Sequence, residues 1–311
     1  MNRSTPSPAI GEPTAVTPKG LWYGGAAVLI WGLYMALAKQ GVNAGLEGID
    51  FAFLRFGTAG LVMLPWVLRR GLADLGGVGW RRGAVLALLA GPPFILAGVG
   101  GFALAPLAHG AVVQPASIVI VSTVLALQVF GERPTRHRVV GMAILLAGLA
   151  AISWPGLFEP GRAPWQGDLL FLLAGALWAG FTVATRFWSL KAVPATAAVS
   201  VVSMLVIVPA YLVAGGLPRL AALAPQTLFL QVVVQGLLSG VVAVILFTRA
   251  AEILGAARAA AFPALVPATA ILLGVPITHE WPNAWQVGGL TLVSLGLVIA
   301  MGLTLPRPLQ R

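Results

Sequence analysis

The chain contains no cysteine and very few charged residues among its 311 positions. The absence of cysteine excludes disulfides, thiolate catalysis and cysteine-ligated metal sites. Only 9% of the residues are charged and 59% are apolar, whereas roughly 25% of the residues of an ordinary soluble domain are charged. Because so much apolar surface cannot be hidden inside a water-soluble globule, we expect lipid to be the solvent of this protein.

Acidic residues are especially scarce, with nine Asp and Glu against 19 Lys and Arg and a net charge of +10. The basic residues are scattered between apolar stretches, so we interpret them as a topology signal and expect no nucleic-acid partner. The acidic residues fall in loops or at the ends of apolar runs, so none marks a proton or sodium relay in mid-membrane. Facilitated diffusion and proton coupling therefore both stay open.

Apolar runs of membrane-spanning length recur along the whole chain. A bilayer core about 30 Å thick is crossed by about 20 residues of helix, and long uniform runs exclude barrel strands. The sequence predicts an all-α integral membrane protein with ten transmembrane helices. The predicted spans are residues 20–40, 50–69, 83–104, 109–130, 138–155, 167–187, 194–215, 228–249, 257–278 and 284–304.

The distribution of Lys and Arg predicts the orientation of these spans. With a cytoplasmic N-terminus, all but four of the 19 fall on the cytoplasmic side. The other four are Lys39, Arg162 and Arg219 on the opposite side and Arg55 within a span. Because short loops rich in Lys and Arg stay in the cytoplasm, we expect both termini there.

The two halves of the chain carry an ordered series of matching residues. Residues 20–154 align with 167–303 at a nearly constant spacing, which indicates duplication. The matched pairs are Trp31 with Trp178, Lys39 with Arg186, Pro115 with Pro263, Glu132 with Glu280, Pro134 with Pro282, Gly141 with Gly289 and Gly148 with Gly296. Since each half holds five spans, the second repeat must enter the membrane inverted, and a substrate site is expected between the halves.

These motifs resemble the EamA type of the drug/metabolite transporter superfamily over residues 20–305. The residues that carry the resemblance are Ile30-Trp31-Gly32, Leu177-Trp178-Ala179-Gly180, Phe53-Leu54-Arg55-Phe56 and Pro115…Gly131-Glu132-Arg133-Pro134…Gly141…Gly148. The second repeat departs from the last motif, because Thr278-His279-Glu280-Trp281-Pro282 lacks the Gly before Glu. Within the superfamily the chain is most similar to bacterial exporters of aromatic amino acids of the YddG type.

The resemblance implies a fold, a mechanism and a domain layout. It implies a central cavity lined mainly by spans 1, 3, 4, 6, 8 and 9, export of small organic metabolites, and no cofactor. We expect a monomer, with a dimer as the alternative. The predicted domains are a disordered cytoplasmic tail (1–18), a first repeat (19–155), a linker (156–166), a second repeat (167–305) and a cytoplasmic tail (306–311).

Two tryptophans inside spans are candidates for contact with substrate. Trp31 and Trp178 lie away from the interfacial belts where tryptophan usually collects, so each either packs between helices or forms an apolar wall of a binding site. Trp178 is the stronger candidate because Thr182 follows one turn later on the same face.

Polar side chains in apolar spans are the second group of candidates. Gln114 and Gln235 need partners in hydrocarbon, which are either neighbouring helices or the polar end of a substrate. His109 begins the fourth span and is either a solvated or hydrogen-bonded loop histidine or a group that titrates near neutral pH. Arg55 either reaches the outer surface, near Asp50, or binds a substrate carboxylate.

Matched prolines are the candidates for hinges. Pro115 and Pro263 occupy equivalent positions, and symmetric bends are what an alternating mechanism requires. Their structural alternative is static shaping of the helices, which transmembrane segments tolerate well.

Two other classes of protein compete with a transporter. A membrane-embedded enzyme is disfavoured because His279-Glu280 is not followed by a second His at metal-binding spacing. A channel or scaffold is disfavoured by the inverted duplication, and saturable transport would distinguish it from a carrier.

Overall fold

A computed structural model describes residues 17–154, 164–254, 259 and 262–301, and all of its regular secondary structure is helical. The first repeat contains α1 (Pro18–Asn43), α2 (Gly48–Arg70), a 3-10 turn (Leu75–Gly77), α3 (Trp80–Ala90), α4 (Pro92–Leu104), α5 (Leu107–Phe130) and α6 (Arg136–Ser153). The second contains α7 (Pro164–Phe187), α8 (Ala192–Val213), α9 (Leu217–Ala221), α10 (Pro225–Gln231), a π-helical segment (Val232–Val242), α11 (Ala243–Leu254), a 3-10 turn (Phe262–Leu265), α12 (Val266–Thr278) and α13 (Ala284–Ala300). The C-terminal tail and nearly all of the predicted N-terminal tail and linker lie outside the described residues.

The described helices match the predicted spans in order and position. Eight helical segments in this part of the chain are long and apolar enough to cross a membrane, and they coincide with the first eight predicted spans. The last two predicted spans contain the shorter apolar helices α12 and α13. Ten crossings and cytoplasmic termini therefore stay predictions.

Prolines break the third predicted span, which is not one continuous helix. Gly91 separates α3 from α4 with a non-helical backbone (φ −93°, ψ −142°). Pro92 and Pro93 follow it, and a proline both lacks the N–H of a helical hydrogen bond and disfavours helical geometry in the preceding residue.

The two hinge candidates lie in different local structures, although their positions in the two repeats are equivalent. Pro115 lies inside the continuous helix α5, whereas Pro263 lies in the 3-10 turn that precedes α12. Pro267 follows four residues later, so two N–H donors are missing within one turn and a regular α-helix starts only at Val266.

The helices pack in two matching sets. α1 packs against α11 and α12 of the other repeat, and its counterpart α7 packs against α4 and α5. α2 packs against its own counterpart α8, and α6 packs against α13. This pattern is what a pseudo-two-fold relation between the repeats requires.

Matched helices run antiparallel where they meet. Phe53 on α2 stacks on Tyr211 of α8 with ring centroids 4.2 Å apart, and two turns along α2 Gly60 faces Met204. The order along α8 is reversed relative to α2, as an inverted repeat requires. The glycine-rich faces of α6 and α13 show the same reversed order.

Candidate functional site

A buried guanidinium lies between α1, α2 and the π-helical segment. Arg55, two turns into α2, is only 8% exposed. Its Nη1 donates to Ser239 Oγ at 2.8 Å and to the carbonyl oxygen of Gln235 at 3.4 Å. The guanidinium carbon also lies 5.4 Å from the ring centroid of Tyr34 on α1, which adds a cation–π contact. Arg55 is buried rather than extended to the outer surface near Asp50, and Asp50 is bound instead to Tyr211 and Arg219.

Amides continue this cluster towards α1. The Gln235 amide donates to Gln231 Oε1 at 3.1 Å, and the Gln231 amide donates to the carbonyl of Leu37 at 2.7 Å. Both glutamines are almost completely buried. The Gln235 side chain therefore bonds within its own span, and Gln231 makes the link to α1. Contact of Gln235 with substrate stays a prediction. The π-helical geometry shifts carbonyls out of the usual ladder, and such segments are frequent at functional sites.

A second buried polar group joins α5, α6 and α7. His109 Nδ1 lies 2.8 Å from Asp168 Oδ1, and the Ser153 hydroxyl donates to Asp168 Oδ2 at 2.7 Å. His109 is 4% and Asp168 is 6% exposed. His109 is therefore not a solvated loop residue, and its carboxylate partner comes from the other repeat.

A partly buried ion pair joins the helix ends where α1 meets α12. Lys39 Nζ lies 3.3 Å from Glu280 Oε1 and also donates to the carbonyls of Phe102 (2.8 Å) and Ala105 (3.1 Å). Glu280 Oε2 accepts the backbone N–H of Leu107 at 2.9 Å. The pair thus connects the ends of α1, α4, α5 and α12.

A second ion pair lies where α5 meets α7. Arg186 Nη1 donates to Glu132 Oε2 at 2.8 Å, and both side chains are about half exposed. The guanidinium also lies 4.4 Å from the ring centroid of Phe130. The hydrogen bond from Arg186 holds the pKa of Glu132 below the ordinary carboxyl value.

The two ion pairs are related by the internal repeat. Lys39 matches Arg186 and Glu280 matches Glu132, yet each cation binds the acid of the other repeat. The duplication therefore places one cross-repeat ion pair at the ends of α1 and α12 and its equivalent at the ends of α7 and α5.

The two predicted tryptophans make equivalent contacts in the two repeats. Trp178 packs against Phe94 on α4 (5.1 Å between centroids) and Phe181 (5.3 Å), whereas Trp31 packs against Phe247 on α11 (5.5 Å). Each tryptophan thus contacts a phenylalanine of the other repeat, and each is partly exposed. The Thr182 hydroxyl donates to the Trp178 carbonyl at 3.0 Å.

Gln114 lies on the same side of the molecule as Trp178. It is 8% exposed and packs beside Gly98 of α4, one turn along from Phe94. The structure therefore places Trp178 and Thr182 on α7, Gln114 on the adjacent α5, Trp31 on α1 and Gln235 in the π-helical segment.

Several polar residues of these clusters escaped sequence reasoning. Ser153 and Ser239 are ordinary serines in apolar helices, and Asp168 has the sequence signature of a span end, so no local signal marks them. The ion pairs did carry a signal, because Lys39 and Arg186 are matched cations and Glu132 and Glu280 are matched anions.

Comparison with known proteins gives a family and a fold. The model of the EamA-like transporter family matches residues 18–154 and again residues 165–302. A solved structure described as the crystal structure of a protein is 20% identical to this chain, with a TM-score of 0.59. The alignment covers 93% of this chain and 99% of the other, and at this identity it shows the fold alone. Comparison with curated proteins found no match.

Proposed function

Because this chain belongs to the EamA-like transporter family, we propose that it is a secondary transporter that exports small organic metabolites by alternating access. The proposed substrates are aromatic or hydrophobic amino acids and related compounds. We place it in a bacterial inner membrane with both termini in the cytoplasm and treat the monomer as the working unit. The family points to a transporter rather than an enzyme.

The observation that carries this proposal is the pair of equivalent cross-repeat ion pairs, Lys39 with Glu280 and Arg186 with Glu132. Each one joins an end of the first helix of one repeat to the other repeat. In an alternating mechanism the two ends open in turn, so each end needs a contact that forms when it closes and breaks when it opens. Equivalent contacts are what an inverted duplication supplies for that purpose.

The surroundings of the two pairs differ in a way that fits unequal closure. The Lys39 end is tied by two carbonyls and a backbone N–H and is largely shielded from solvent. The Arg186 end has the ion pair and a ring contact and is half exposed. By the predicted topology the Lys39 end faces outward, so the described conformation is more firmly closed on that side.

The predicted site residues keep their proposed roles within this mechanism. Trp178, Trp31, Thr182, Gln114, Gln235 and His109 are proposed substrate contacts, and Pro115 and Pro263 are proposed hinges. The partly exposed Trp178, packed against Phe94 and Phe181, supports an apolar wall.

Transport by purified protein in proteoliposomes tests the proposal. A panel of radiolabelled amino acids, each measured with and without a pH gradient, should show saturable uptake that related solutes compete for. Uptake that rises linearly with concentration, without competition, would identify a channel. Uptake that is saturable but restricted to compounds unrelated to amino acids would leave a transporter with another substrate.

A further inference from the structure

Arg55 is a buried cation whose charge is not balanced locally. Among the described residues no Asp or Glu lies within ion-pair distance of it. Asp50, on the same helix, is fully buried and accepts hydrogen bonds from Tyr211 Oη (2.6 Å) and Arg219 Nε (3.2 Å). A buried charge without a counter-ion is costly, and in a membrane protein it usually marks a site for a ligand.

One edge of the guanidinium is held and the other is free. Nη1 is bonded to Ser239 and to the Gln235 carbonyl, whereas Nε and Nη2 donate to no described protein group. Ser203 Oγ is the one described side-chain atom that is both sealed from solvent and without a hydrogen bond. The free nitrogens of Arg55 are therefore not completely sealed from solvent, although the residue as a whole is only 8% exposed.

The free edge has the geometry of a carboxylate receptor. The parallel N–H groups on Nε and Nη2 match the two oxygens of a carboxylate, which they bind as a bidentate pair. The bonds to Ser239 and Gln235 fix the plane of the guanidinium, so little rotational freedom remains to be lost on binding.

The position of Arg55 on α2 directs it into the protein. Phe53 and Gly57 line an apolar groove between α2 and α8. Arg55 does not line this groove: its hydrogen bonds go to Ser239 and Gln235 of the π-helical segment. Tyr34 supplies a ring beside the charge.

The site exists in one repeat only. At the offset that matches Trp31 with Trp178, the position of Arg55 corresponds to Val202 in the second repeat. The ion pairs of Lys39 and Arg186 are duplicated because each end of the molecule needs one. A group that holds one substrate in one orientation, as proposed for Arg55, is needed only once.

We propose that the Nε and Nη2 edge of Arg55 is the subsite for the carboxylate of the transported compound. The substrate class is then a small carboxylate with an apolar remainder, and a free amino group is not required by this contact. The proposal rests on the proposed transport function and adds to it the group that selects the anionic end.

Equilibrium binding to the purified full chain tests the subsite, with phenylalanine and phenylalaninamide as the probes. They differ only in the carboxylate, and tryptophan fluorescence reports binding without transport. The wild type should bind phenylalanine about 10- to 100-fold more tightly than the amide, as a charge-assisted hydrogen-bonded pair implies. Arg55→Gln should reduce that ratio to near one, and Arg249→Gln, which removes an exposed cation, should leave it unchanged.

Arg55→Lys provides a variant that keeps the buried charge if Arg55→Gln fails to fold. The lysine ammonium keeps the charge but lacks the two parallel N–H donors of the guanidinium. The ratio of phenylalanine to phenylalaninamide affinity should therefore fall but stay above one. A ratio near one in the wild type, no binding of either probe, or an unchanged ratio in either Arg55 variant overturns the subsite.

Uptake in proteoliposomes separates the subsite from the transport function. Preferential binding of phenylalanine without saturable transport supports the subsite and contradicts the transporter. Saturable transport of both compounds with equal apparent affinity supports the transporter and contradicts the subsite.

Discussion

The residues that end α5 and α12 explain why one repeat departs from the motif of the other. Gly131 ends α5 in the left-handed region (φ 69°), and His279, at the equivalent position, ends α12 with φ 58°. The second repeat thus keeps the backbone of the motif although the glycine is absent. Histidine is among the residues that tolerate this conformation at single positions.

Substitution of Gly131 should reveal the cost of that conformation. Gly131→Ala is expected to lower the free energy of unfolding by about 1 kcal/mol, because a residue with a Cβ is strained in the left-handed conformation. An added Cβ would meet no atom within 4 Å, so a steric clash does not contribute. Thermal unfolding in detergent measures the effect.

Gly288→Ala is the matched control. Gly288 also has open space around it but lies inside α13 with ordinary helical geometry, so alanine should stabilise the helix by about 0.5–1 kcal/mol. Equal changes in unfolding free energy for the two variants would show that the left-handed φ of Gly131 does not cause the destabilisation.

At the scale of elements, the contact between α6 and α13 depends on glycines that let the backbones approach. A Cβ added at Gly141 would lie 2.4 Å from the backbone nitrogen of Ala300, and one added at Gly148 would lie 3.0 Å from the carbonyl oxygen of Gly289. Small residues make such close packing between membrane helices favourable, because lipid supplies no hydrophobic drive for association. The four matched glycines of the repeat therefore serve one helix pair.

Gly141→Ala should push α6 and α13 apart, because the added methyl group would meet the backbone of Ala300, which cannot rotate away. We expect destabilisation of about 1–3 kcal/mol, the usual cost of overpacking. The apparent unfolding midpoint in detergent measures it. Gly25→Ala in α1, where nothing lies within 4 Å, should not lower the midpoint; an equal loss there would contradict the packing argument.

At the scale of the whole molecule, the two ion pairs should control access to opposite ends. The chain has no native cysteine, so single-cysteine variants report accessibility without background. Ala105→Cys, 3% exposed beside Lys39, should react slowly with a membrane-impermeant maleimide. Glu280→Gln should raise that rate several-fold, because the Lys39 contact is lost.

Two controls accompany the labelling. Glu132→Gln acts at the other ion pair and should not accelerate labelling of Ala105→Cys. Ala222→Cys, at an exposed position between the seventh and eighth predicted spans, should label readily in every background. If Glu132→Gln accelerates labelling of Ala105→Cys as much as Glu280→Gln does, the two ion pairs do not control opposite ends of the molecule.

The Glu132 pair should also have a defined pH dependence. Arg186 lowers the pKa of Glu132, so this pair contributes stability at neutral pH that is lost only as pH falls through the lowered value. The difference in apparent Tm between the wild type and Glu132→Gln should therefore persist at pH 5 and disappear at more acidic pH. A difference that is already absent at pH 5 would contradict the assignment.

Much of the architecture was predictable because it depends on composition and length. Hydrocarbon requires long apolar helices, so the first eight spans could be read from the chain, and equally spaced matches such as Trp31 with Trp178 revealed the duplication. The breaks at Gly91 and Pro263 were not placed, because a proline in a span either bends a helix or ends it, and neighbouring helices decide which.

The polar sites required the folded chain. Composition, spacing and the order of the spans are properties of the linear polymer, and they led to a membrane protein built from two repeats. Lys39 and Glu280, His109 and Asp168, and Arg55 and Ser239 are separated by 241, 59 and 184 residues. Hydrogen bonds and ion pairs act over a few ångströms, so only the packing of the helices decides which of these groups meet and which edge of Arg55 stays free.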